Sequence, residues 1–107
     1  MILLALNELN LDYIKGYVSQ GKLTNFEKLL EHGVVNTTSE SNYELLEPWI
    51  QWASVQTGKT FDEHKVFRLG DMVYRPDLDQ IFEDLEKSGL SVGAISPFNA
   101  DNRLASS

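Results

Sequence analysis

The chain has 107 residues, room for one small domain, and at 42% hydrophobic and 23% charged it has an ordinary globular composition. Nine basic residues against 16 acidic ones give a net charge of −7, which disfavours a nucleic-acid or anionic-membrane surface because both need basic side chains. With no cysteine, disulfides and thiolate metal sites are excluded.

Ile2-Leu3-Leu4-Ala5-Leu6 is a short apolar run of the kind that forms a strand buried on both faces. It has no basic region before it and no small-residue cleavage site after it, so it does not read as a targeting segment. It is also too short to span a bilayer. The absence of a signal segment and of cysteine is the pattern expected of a cytoplasmic protein. Asn7-Glu8 follow at the strand's carboxyl end. Leu11, Ile14 and Val18 then have helical spacing, with Asn10 as N-cap and Gly21 closing the segment. Thr24 and Glu27 form a capping-box pattern before Phe26, Leu29 and Leu30, and Gly33 ends that helix. Val34-Val35-Asn36-Thr37-Thr38 predicts a second strand, and Trp49 to Thr57 a helix closing at Gly58.

Residues 59 to 75 are the least regular. Pro76 and the acidic Asp77 and Asp79 predict the start of a helix carrying Leu78, Ile81, Phe82 and Leu85, with Gly89 as its C-cap. Glu83, Asp84 and Glu86 are expected on its solvated face. Residues 90 to 96 predict a third strand, followed by Pro97 and a polar tail. This order of elements predicts an α/β fold, a mostly parallel sheet flanked by helices in a Rossmann-like layer structure. Ligands in such folds bind beyond the carboxyl ends of the strands.

The sequence Thr57-Gly58-Lys59-Thr60 matches the end of a nucleotide-binding P-loop. That motif needs a glycine where this chain has Ala53, and its last glycine must open a helix. Here the segment with Trp49 and Trp52 runs helically into Gly58, so Gly58 closes a helix and Lys59 sits at the helix's negative end.

Three stretches taken together, "ILLALNELN", "GKLTNFEKLLEHGVV" and "PWIQWASVQTGKTFDEHKV", resemble the N-terminal part of the alkaline phosphatase superfamily, nearest to type I phosphodiesterases and nucleotide pyrophosphatases. The resemblance rests on Gly21-Lys22-Leu23-Thr24-Asn25-Phe26, Gly33-Val34, Trp52, Ser54, Thr57-Gly58 and Glu63-His64, and covers nearly the whole chain. It implies an alkaline-phosphatase-like layer structure and a metal-dependent hydrolase of phosphate or sulfate esters. Such an enzyme uses two divalent metals, usually zinc, to stabilise the attacking and leaving oxygens. It also implies that residues 1–107 are the N-terminal piece of a larger hydrolase domain, inactive alone and holding no metal stably.

On that pattern Asn7 stands where a ligand aspartate is usual, with Glu8 beside it as the other metal candidate. Pro48 stands at the nucleophile position. Glu47 next to it is the candidate catalytic carboxylate. Trp49, Gln51 and Trp52 on the same helix, with Asn99 after the last strand, are candidate substrate contacts. His32 is expected to stabilise a helix C-terminus and His64 to lie on the surface or in packing. The alternative is a non-catalytic relative or a small α/β interaction module lacking nucleophile and ligands.

Overall fold

The computed structural model describes residues 1–105. Five α-helices account for most of its regular structure: α1 Leu11–Val18, α2 Thr24–Glu31, α3 Pro48–Thr57, α4 Phe61–His64 and α5 Ile81–Lys87. Short 3-10 turns occur at Tyr43–Leu45 and Asp71–Tyr74. The α/β parallel sheet expected from the sequence is not formed, because no strand occurs among the described residues. The protein is a small helical one, without the Rossmann-like layers.

The physical reason lies in the three apolar runs. A strand buried on both faces needs ladder partners beside it and helices over it. Here the residues expected to point inward face solvent instead: Ile2 is 94% exposed, Val35 90% and Ile95 96%. Left-handed backbone also interrupts extended structure at Glu8 (φ 58) and Ser96 (φ 48).

The chain divides into two compact units, the first covering Met1–Thr38 and the second beginning at Ser39. In the first, α1 packs on α2. Asn10 caps α1 as expected, its Oδ1 accepting from the amides of Asp12 (3.0 Å) and Tyr13 (3.1 Å). The turn back to α2 uses Gly21 at φ 72, and Ile14 is the one buried side chain of this unit. Thr24 does not cap α2. It lies inside the helix, and Leu23 in left-handed conformation takes the cap position without a side-chain bond. His32 forms the C-cap of α2.

The second unit has a small apolar core of Ala53, Val66, Met72 and Leu78. Helix α3 starts on Pro48 and closes on Gly58 at φ 65, burying Ile50, Ala53 and Gln56 along one stripe. The expected helix start at Pro76 moves to Gln80, the N-cap of α5. Residues 76–79 form turns instead, with Leu78 still buried. Glu83 is not on a solvated face either. It is 7% exposed, and its Oε2 accepts from the Gln80 amide (2.8 Å) and Gln80 Nε2 (3.1 Å).

Candidate functional site

The sequence-predicted site residues fall in both units. Asn7 and Glu8 belong to the first, where the chain makes a turn and both are exposed. This turn removes the alternation that would have set their side chains on opposite faces of a strand. A two-zinc centre takes about four ligands per ion. Among the described residues no group of three His, Cys, Asp or Glu stands close enough together to hold one metal. An exposed Asn–Glu turn therefore does not fit the centre the resemblance implies.

Glu47, Trp49, Gln51, Trp52 and Asn99 belong to the second unit. Glu47 occupies the N-cap of α3, where its carbonyl accepts from the amides of Ile50 (2.9 Å) and Gln51 (3.0 Å), and its exposed side chain makes no capping bond. Gln51 Nε2 donates to Leu45 O (2.7 Å), tying α3 to the turn before it. Trp49 and Trp52 are half-buried. Trp49 and Asn99 are brought together: Asn99 Nδ2 donates to Trp49 O (2.7 Å) and to Arg68 O (3.4 Å), while Asn99 Oδ1 accepts from the Gly70 amide (2.7 Å). Asn99 is 8% exposed and sits at φ 48, a left-handed conformation that asparagine tolerates well.

The tail beyond Asn99 repeats this pattern of polar side chain against backbone. Gln56 Nε2 donates to Phe98 O (2.6 Å). Gln80, fully buried, donates to Asp101 O (2.9 Å) and accepts from the Asp101 amide (3.1 Å). Arg103 lies 2.9 Å from Asp101 and 3.5 Å from Glu83, and Glu86 accepts from the Ala105 amide (2.9 Å). Residues 98–105 are thus stitched to α3 and α5.

His64 was expected on the surface or in packing, and it is fully buried. Its Nδ1 lies 2.9 Å from the Val66 amide, which donates to it, and its Nε2 lies 3.0 Å from Ser54 Oγ. A ring nitrogen that accepts an N–H carries no proton, so the proton is on Nε2, which donates to Ser54. Burial holds the ring's pKa below its ordinary value. A histidine that activates a serine must do the reverse and accept the hydroxyl proton. The pair is therefore set as a structural tie.

Carboxylates around it are committed similarly. Glu63 Oε2 accepts from the Thr60 amide and hydroxyl (2.8 Å each), and those bonds hold its carboxyl below the usual range. Glu40 Oε1 accepts from the Phe61 amide (2.8 Å). Arg75 forks onto Asp77 through Nε (2.9 Å) and Nη2 (2.7 Å), holding the Asp77 carboxyl at about 2, and its Nη1 donates to His64 O. The Thr60-Phe61-Asp62-Glu63 pattern was a legible capping signal for α4. Nothing local marked Gln80, Glu83 or His64 as buried.

No helix among the described residues is long and apolar enough to cross a membrane. Comparison of the chain with protein-family models, with curated proteins and with solved structures finds no match.

Proposed function

We propose that this chain is a non-catalytic binding module that carries the motif order of metal-dependent phosphoric-ester hydrolases and acts in the cytoplasm. The observation that carries this reading is the Ser54–His64 pair. Its tautomer is fixed by the Val66 amide so that the imidazole donates to the hydroxyl and leaves it unactivated. The carboxylates of Glu40, Glu63 and Glu83 support it, since each already accepts backbone hydrogen bonds. Pro48 at the position of the nucleophile adds a residue with no group able to attack.

A second reading makes the chain the N-terminal segment of an active hydrolase of phosphate or sulfate esters using two zinc ions. It is favoured by α3, which opens at Pro48 and closes at Gly58, where the motif order puts the nucleophile's helix. One experiment separates the two. The purified chain is titrated with zinc by calorimetry and assayed against an aryl phosphodiester and an aryl sulfate. The binding-module reading expects no saturable zinc uptake and no turnover above the metal-only background. Zinc-stimulated turnover abolished by Glu47→Gln or Glu8→Gln overturns it in favour of the hydrolase.

A further inference from the structure

We propose that His64 is an acid-operated latch: neutral, it ties α4 to α3 and to Val66, and on protonation it releases the Val66 amide and loosens residues 61–75. The latch stands on three bonds that converge on one residue. Nδ1 accepts from Val66, Nε2 donates to Ser54 of α3, and the His64 carbonyl accepts from Arg75. Val66 is fully buried and belongs to the apolar core with Ala53, Met72 and Leu78, so the His64–Val66 bond holds a core residue in place.

Adding a proton to Nδ1 sets two N–H donors against each other across 2.9 Å and places a full charge in a site closed to water. The groups around the ring act in opposite senses. Glu40, from the segment before α3, and Glu63, on α4, favour the protonated form. Arg75 and Lys65 oppose it, as does the loss of water on burial, which is the largest single influence. From helix α3 the neutral Ser54 hydroxyl meets the ring, and Phe61 meets it edge-on at 5.7 Å.

Because the folded ring resists protonation, the opened chain binds more protons over this range. The stability held by the latch is therefore present above the ordinary value of 6.5 and is lost as pH falls below it toward the lowered folded value. The latch is tested on the whole chain by nitrogen-15 spectra of the imidazoles and by hydrogen exchange at Val66. A His32→Gln variant assigns the ring signals, because the chain has 2 histidines. The expected result is the Nε2–H tautomer for His64 at pH 7. Val66 protection, corrected for the intrinsic pH dependence of exchange, then falls by up to about tenfold per pH unit below 6.5. In His64→Gln, which has nothing to titrate there, Val66 protection is flat across the same window. If that variant does not fold, the wild-type data still decide. An Nδ1–H tautomer, Val66 protection unmoved between pH 7 and 5, or an unchanged slope in a folded His64→Gln protein overturns the latch.

Discussion

Replacing Asn99 by alanine removes a side chain that bonds three separate backbone positions: the carbonyls of Trp49 and Arg68 and the amide of Gly70. The two short bonds, both 2.7 Å, are the ones that matter energetically. Each is worth about 1 kcal/mol net, and since both are only part-buried, leaving a partner unpaired costs about 1–2 kcal/mol per bond. The residue also sits at φ 48, where exchanging asparagine for alanine adds about 1 kcal/mol of backbone strain. Together these give a loss of roughly 3–5 kcal/mol, a large share of the roughly 5–15 kcal/mol that holds a domain folded.

Two companion variants separate the terms. Asn99→Gly keeps the left-handed backbone without strain and loses only the hydrogen bonds, so it should be about 1 kcal/mol less damaging than alanine. Asn99→Asp preserves the acceptor for Gly70 but turns a second oxygen toward Trp49 O, and should be as harmful as alanine or worse. Urea unfolding followed by tryptophan fluorescence gives the midpoints and slopes, with Trp49 itself at the clasp. An Asn99→Ala protein within about 1 kcal/mol of wild type refutes the clasp, since that lies below even the bond term. That outcome would return Asn99 to the role of a substrate contact.

Three further perturbations follow, two in the second unit and one, at Leu29, in the first. Met72 is fully buried in the four-residue core, so Met72→Ala should cost about 2–5 kcal/mol in urea unfolding. Leu29→Ala, at a side chain 59% exposed on α2, should stay within about 0.5 kcal/mol. Gln80→Glu puts a second carboxylate beside Glu83 and against Asp101 O, in place of a donor to both. Its destabilisation at pH 7 should exceed that of Gln80→Ala and shrink at pH 5 as the crowded pair takes up a proton, which paired melting curves would show.

What was legible in the sequence was local. Asn10 capping α1 and Gly58 closing α3 depend on a few adjacent residues, and each is found where local chemistry puts it. Thr24 shows how narrow that legibility is. Its capping-box pattern was satisfied, yet left-handed Leu23 takes the cap position and draws Thr24 into the helix. The three expected strands failed for a different reason. Apolarity over residues 2–6, 34–38 and 90–96 says that a segment would be stable beside partners, and says nothing about whether partners exist.

The polar residues raise a further question, because their chemistry reads the same whether they serve a substrate or the backbone. Asn99 bonds a carbonyl 50 positions away, and Gln80 bonds Asp101 across 21. No periodicity within either segment reports such a partner. With seven buried apolar side chains among its described residues, four of them in one cluster, the second unit has little apolar area with which to fix its tail. Asn99, Gln80, Gln56 and Glu83 take up that task by pairing side-chain amides and carboxylates with backbone groups. A small core thus draws into structural use the residue types that a larger domain leaves for a site. Asn99 shows the consequence: it follows a predicted strand end, as a ligand contact would, and its bonds close the fold instead.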